Sequence, residues 1–136
     1  MFGNNPLTNN SAPKKKILLA EDDVSVRRFI EVILQRANYE VLTAEDGLSA
    51  MQIALEHQVR AVVADAIMPN LTGYDLCRIL RENPDYQNTP FIILSGIENT
   101  VENHLADAYL LKGNDLKEKL LKTLEDILLL HKPLKN

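Results

Sequence analysis

Ala61-Val62-Val63-Ala64-Asp65-Ala66-Ile67-Met68-Pro69-Asn70-Leu71-Thr72-Gly73 is the stretch on which the fold turns. Four small or branched apolar residues end on a single acid, and a Pro and a Gly follow. An apolar run this short, bounded by turn residues, predicts a strand buried on both faces, as in a parallel sheet. Asp65 then stands at the strand's C-terminal end. Open α/β sheets bind their ligands in the crevice beyond those ends.

Working outward, the same alternation recurs. Ile17–Ala20 predicts a first strand, which ends on Glu21, Asp22 and Asp23. Val26, Phe29, Ile30 and Ile33 then follow helical spacing to about Ala37, with Asp22 or Asp23 as the cap. Tyr39–Thr43 predicts a second strand, and Asp46-Gly47 opens a helix carrying Leu48, Met51, Ile53, Ala54 and Leu55. Beyond Thr72-Gly73, Leu76, Ile79 and Leu80 mark a third helix, stopped at Asn83-Pro84 because Pro disfavours helix in the residue before it. Phe91–Leu94 and Ala108–Leu111 predict the last two strands, ending on Ser95 and Lys112. Only 16 residues separate Ser95 from Lys112, leaving about two turns of helix near Thr100 to Leu105. Asp115 and Glu118 have capping-box spacing, and Leu116, Leu120, Leu124 and Ile127 line a final helix ending before Pro133.

Five βα units imply an α/β doubly wound parallel sheet of the flavodoxin-like (βα)5 kind, strand order 2-1-3-4-5, with a shortened fourth helix. That order sets strand 1 beside strand 3 and brings Glu21, Asp22 and Asp65 to one edge. Strand 4 adds the Ser95 hydroxyl there and strand 5 the Lys112 ammonium.

Composition narrows the function. The chain has 136 residues, enough for one domain, and a net charge of -4 that argues against a nucleic-acid footprint. A single cysteine, Cys77, excludes an internal disulfide; it reads as a small packed residue, and the chain as cytoplasmic. No apolar run is long enough to span a membrane. Lys14, Lys15 and Lys16 are too few for a membrane or nucleic-acid patch and read as a solvated approach to strand 1.

Carboxylates a few ångströms apart repel by about 1 to 4 kcal/mol per pair, so something must compensate them. An all-oxygen donor set without His or Cys suits Mg²⁺. Acids, a metal, a hydroxyl and an ammonium together suit a phosphoryl group, whose transfer depends on positioning and charge stabilisation. Asp65 is the nucleophile candidate, because an Asp carboxylate can form an aspartyl-phosphate.

Ile-Leu-Leu-Ala-Glu-Asp-Asp (17–23), Asp-Ala-Ile-Met-Pro-Asn-Leu-Thr-Gly (65–73), Pro-Phe-Ile-Ile-Leu-Ser-Gly (90–96) and Tyr-Leu-Leu-Lys (109–112) together resemble the receiver domain of two-component response regulators, of the chemotaxis-regulator type. The resemblance implies that Asp65 accepts a phosphoryl group from a sensor histidine kinase or a histidine phosphotransfer protein. It implies that Glu21, Asp22, Asp65 and the backbone carbonyl of Ile67 hold Mg²⁺. Ser95 would be the switch hydroxyl, Lys112 the cation on the phosphoryl group, and Tyr109 the aromatic switch that turns inward as the hydroxyl moves. The output face would be helix 4, strand 5 and helix 5, binding an unknown downstream protein.

On that basis residues 15–132 form a stand-alone receiver domain between a flexible N-terminal tail, 1–14, and a C-terminal tail, 133–136. It is a signalling protein and not a turnover enzyme, with neither nucleic acid nor membrane as a partner. A receiver-like interaction module independent of phosphorylation is the alternative. A phosphatase of the haloacid dehalogenase type would want a second acid two residues past Asp65, where Ile67 stands. Three departures from the family pattern matter. Gly113 replaces the usual Pro after Lys112, so Lys112 is expected to be held less firmly; the fourth helix is short; and Ile67 and Ile97 flank the path of a hydrolytic water without offering it a hydrogen bond. The last of these predicts a long-lived phosphoryl-aspartate. Ile127-Leu128-Leu129-Leu130 cannot all be buried on one helical face, so a second copy of the chain is a candidate partner.

Overall fold

A computed structural model describes residues 12–98 and 105–130. In chain order the elements are β1 (Lys16–Ala20), α1 (Val24–Arg36), β2 (Glu40–Ala44), α2 (Gly47–Glu56), β3 (Ala61–Asp65), α3 (Gly73–Arg81), β4 (Phe91–Ser95), β5 (Ala108–Leu111) and α4 (Leu116–Leu130). The strands form one parallel sheet in the order β2-β1-β3-β4-β5, which is the expected 2-1-3-4-5. The stretch expected to hold a short helix near Thr100 to Leu105 lies outside the described residues except for Leu105, which is exposed. The expected tails lie largely outside them too.

Side chains alternate across a strand, so each strand feeds two cores. Leu18, Val62, Ala64 and Ile93 pack beneath α2 and α3, with Leu76, Cys77 and Leu80 above them. Ile17, Leu19, Val63, Ile92 and Leu94 pack on the other face beneath α1 and α4, against Ile30, Leu34, Leu120 and Leu124. The three central strands are buried on both faces, which is why they read as unbroken apolar runs.

Three helices begin on side-chain caps. Asp23 accepts from the Val26 amide at 2.9 Å, Asp46 from Ser49 at 2.7 Å and Thr72 from Asp75 at 3.0 Å, each satisfying a backbone donor that the first turn leaves free. At α4, where a capping box was expected, the Asp115 carboxylate pairs instead with Lys119 at 3.1 Å. Tyr86, between α3 and β4, is buried; its hydroxyl donates towards the carbonyls of Ala54 (2.6 Å) and His57 (2.5 Å) and accepts from the Val59 amide (3.3 Å). That one hydroxyl ties down the C-terminal end of α2.

On two helices some of the large apolar residues face solvent. On α2 the inward positions are Gly47, Ala50 and Ala54, while Leu48 and Leu55 are exposed. Small residues let α2 approach the sheet closely; a β-carbon on Gly47 would fall 2.3 Å from the Leu71 carbonyl oxygen. On α1 the buried set is Ile30, Ile33 and Leu34, leaving Phe29 exposed. Of the apolar run closing α4, Ile127 and Leu128 are buried and Leu129 and Leu130 exposed.

Candidate functional site: an acidic cluster at the sheet's C-terminal edge

Backbone bonds running just past the strands position the site. The Glu21 amide donates to Ala44 O at 3.0 Å, Ala66 to Leu94 O at 2.8 Å, and Lys112 to Ser95 O at 2.7 Å. Each continues the ladder by one residue, so the functional side chains leave the sheet from fixed backbone. Arg27, in the first turn of α1, adds a guanidinium bond to the Glu21 carbonyl at 2.7 Å.

The loop after Asp65 closes by a close approach. The Gly73 amide donates to Ala66 O at 2.9 Å, and a β-carbon on Gly73 would lie 2.3 Å from the Asp65 carbonyl oxygen. Only glycine lets α3 begin against the backbone of Asp65 itself. Asn70 takes a positive φ of 71° in this loop, a conformation Asn tolerates better than most residues, and its side chain donates to Asp46 Oδ2 at 3.2 Å. Asp46 thus caps α2 with one oxygen and holds the loop with the other.

Glu21, Asp22 and Asp65 converge as expected: their ligand oxygens lie within 4.8 Å of one another. Glu21 is 1% exposed and Asp65 8%, whereas Asp22 is open to solvent. Lys112 Nζ sits 2.8 Å from Glu21 Oε1 and 3.2 Å from Asp65 Oδ1. The Glu21 contact is an ion pair without hydrogen-bond geometry, so this buried oxygen lacks a directed donor among the described residues. Its other oxygen accepts from the Asp23 amide at 3.1 Å.

Burial pushes the Glu21 carboxyl above its ordinary range; Lys112 and the Asp23 amide pull it back, while the Asp65 charge adds to the rise. Lys112 is raised overall. Burial is the largest single influence and works against its charge, but Glu21 and Asp65 together outweigh it. Lys112, followed by Gly113, is tied at both ends, by its amide to Ser95 and by its ammonium to two carboxylates. A buried carboxylate oxygen lacking a directed donor, in a cluster of oxygen ligands, fits a hard divalent cation.

Ser95 is buried at the end of β4, and its Oγ accepts from the Ile97 amide at 3.2 Å. Tyr109 is half-buried; its hydroxyl donates to the Ile97 carbonyl at 3.1 Å and its ring stacks on Tyr74, centroids 6.5 Å apart at 24°. Ile67 lies two residues past the end of β3, with its side chain, like that of Ile97, 68% exposed.

Tyr74, Arg27 and the Asp46–Asn70 pair escaped the sequence reading. Arg27 and Tyr74 sit beside recognised positions, in the first turns of α1 and α3, but no periodicity marks them out. Cys77 is buried with its thiol pushed up to about 11 by burial, which fits the small packed residue expected.

The response regulator receiver domain model matches residues 17–125, and the chain belongs to that family. Receiver domains are signalling modules and not turnover enzymes. The chain is 34% identical over 110 residues to response regulator ArlR of Staphylococcus saprophyticus, covering 77% of this chain and 49% of that protein. It is 40% identical over 111 residues to the probable transcriptional regulator ycf27 of Cyanophora paradoxa, covering 77% and 45%. The chain thus spans about half the length of the curated relatives it matches. Among solved structures, chemotaxis protein CheY4 of Vibrio cholerae matches with 30% identity and a TM-score of 0.77, over 84% of this chain and 98% of that one. The receiver domain of sensor histidine kinase PA1611 from Pseudomonas aeruginosa matches with 26% identity and a TM-score of 0.75, over 83% and 96%; that structure carries a magnesium ion coordinated in its active-site cleft. No helix among the described residues is long and apolar enough to cross a membrane.

Proposed function

We propose that Asp65 accepts a phosphoryl group from the phosphohistidine of a sensor histidine kinase or a histidine phosphotransfer protein, in a Mg²⁺-dependent phosphorelay that switches binding to a downstream protein. One observation carries the reading: Lys112 Nζ lies 3.2 Å from Asp65 Oδ1 and 2.8 Å from Glu21, at the edge where three carboxylates converge. In the transfer, an Asp65 carboxylate oxygen forms the new O–P bond as the donor's N–P bond breaks and the imidazole leaves with that electron pair. Lys112 offers a positive charge to the oxygens on phosphorus. Glu21, Asp22, Asp65 and the Ile67 carbonyl would hold Mg²⁺, which supplies charge neutralisation to the phosphoryl oxygens.

Ser95 is the switch hydroxyl in this reading and Tyr109 the aromatic one. Ser95 can turn to the phosphoryl group only by giving up the Ile97 amide, and that amide belongs to the residue whose carbonyl holds Tyr109. Phosphorylation shifts the population by the difference in affinity between the two Ser95 positions. The exposed Phe29 and Val24 on α1, the helix that begins beside the acids, are the apolar contacts we assign to the phosphodonor. Residues 15–132 would form the receiver domain, working in the cytoplasm.

Incubation with acetyl phosphate and Mg²⁺ tests the reading by mass spectrometry. The expected result is a gain of one phosphoryl group that Asp65→Asn abolishes and chelation of Mg²⁺ prevents. No gain on the folded wild-type protein overturns it.

A further inference from the structure

The switch tyrosine has a partner on a helix that the reading above does not use. Tyr74 directly follows Gly73, whose amide is bonded to Ala66 O and where a β-carbon would lie 2.3 Å from the Asp65 carbonyl oxygen. The start of α3, and so the backbone of Tyr74, is fixed to the acceptor's own strand. Its half-buried ring lies on that of Tyr109 at 6.5 Å and 24°, an offset-stacked arrangement that aromatic pairs favour. Burial, with the neighbouring Tyr109 hydroxyl second, pushes the Tyr74 phenol up to about 12.

The contacts close a circuit. From the Asp65 backbone it runs through Gly73 to Tyr74, across the ring stack to Tyr109, from the Tyr109 hydroxyl to Ile97 O, and from Ile97 N to Ser95 Oγ. Ser95 follows Leu94, the residue that pairs with Asp65 across the sheet. The circuit therefore begins and ends at the acceptor.

We propose that Tyr74 is a positioning residue that holds Tyr109 in its resting place, so that α3 as well as the β4–β5 connection sets the balance of the switch. In the resting state Tyr109 is held at its hydroxyl by Ile97 and on its face by Tyr74. When Ser95 leaves Ile97, the hydroxyl tether loosens while the contact with Tyr74 still restrains Tyr109. Removing the Tyr74 ring lets Tyr109 leave without phosphorylation, and the competent arrangement gains population. The step from ring position to phosphoryl uptake rests on the function proposed above; the position of Tyr109 does not.

The chain has four tyrosines and no tryptophan, so 3-fluorotyrosine labelling gives few ¹⁹F signals, and Tyr109→Phe assigns the relevant one. The signal is recorded first without any phosphodonor, for wild type, Tyr74→Phe, Tyr74→Leu and Tyr74→Ala. Tyr74→Phe keeps the ring and loses only the hydroxyl that neighbours Tyr109; the restraint proposed is the ring's, so the Tyr109 signal is expected to stay nearer its wild-type position than in the variants without a ring. Tyr74→Leu keeps apolar volume without a ring and, with Tyr74→Ala, is expected to move it in a common direction. Uptake from acetyl phosphate with Mg²⁺ should then rise about two- to tenfold in the Leu and Ala variants, the size expected from one aromatic pair, with Phe restoring the wild-type rate. A Tyr109 signal unmoved in both the Leu and Ala variants overturns the positioning role. A moved signal with unchanged uptake overturns the coupling to the switch. Absence of uptake in every variant, wild type included, defeats the phosphorelay reading alone, and the donor-free spectra still decide the role of Tyr74.

Discussion

Lys112 reaches across the sheet edge to Glu21, with Nζ 2.8 Å from a carboxylate oxygen that has no directed hydrogen-bond donor among the described residues. The ammonium compensates part of an acidic cluster that a divalent cation would compensate as well. Lys112→Met should therefore destabilise the Mg²⁺-free protein by about 2 kcal/mol, less than for a fully buried pair because Lys112 keeps some exposure. Saturating Mg²⁺ should raise the wild-type melting temperature, shrink the Lys112→Met deficit, and have far less effect on Glu21→Gln. Calorimetry with and without the metal measures this; a deficit indifferent to Mg²⁺ contradicts it.

Gly73→Ala places a β-carbon 2.3 Å from the Asp65 carbonyl oxygen, where only backbone can give way. A loss of about 1–3 kcal/mol is expected in denaturant unfolding, as for other overpacked sites. Because α3 would be pushed off β3, the proposed uptake of a phosphoryl group should slow even where the protein stays folded.

Acid should reveal the cap on α2. The Ser49 amide bond is the main influence holding the Asp46 carboxyl below its usual 3.8, with Asn70 adding to it. A carboxylate whose folded pKa is depressed contributes stability above the unfolded value and loses it as pH falls through the folded one. Wild type should thus exceed Asp46→Ala in stability above about pH 4 by a margin that closes as the pH falls below 3.8. A margin constant down to pH 2 would contradict the assignment.

Phe29→Ser should barely change stability, since the ring is 54% exposed on α1. Transfer from a cognate phosphohistidine protein should fall several-fold, while uptake from acetyl phosphate stays at the wild-type rate. Equal losses with both donors would remove α1 from the docking surface.

In the proposed phosphorelay, Ile67 and Ile97 would offer no hydrogen-bonding side chain to a water attacking the phosphoryl group. The wild-type aspartyl-phosphate is expected to decay slowly and Ile67→Asn to decay several-fold faster. Phosphate release after removal of the donor reads both rates; a fast wild type would count against the idea.

Much of the site was legible in the chain because its residues end strands. Asp65, Ser95 and Lys112 follow short apolar runs, and the parallel order brings those ends to one edge. The buried face of α2 was not legible: glycine and alanine carry little hydrophobic signal, and close approach to Leu71 is a tertiary matter. Phe29 and Leu48 fit an apolar helix pattern yet face solvent, because periodicity gives a face only to within a residue or so.

What the sequence alone determined is the five-unit parallel architecture, the strand order and the placing of Glu21, Asp22, Asp65, Ser95 and Lys112 along one edge of the sheet, since alternation, turn residues and right-handed crossovers leave little freedom. Only the tertiary structure decided that Lys112 bridges two carboxylates despite Gly113, and that Tyr109 lies on Tyr74 with its hydroxyl on Ile97. These contacts join residues far apart in the chain, and their geometry depends on how closely helices and loops pack on the sheet, a quantity that local residue pattern does not carry.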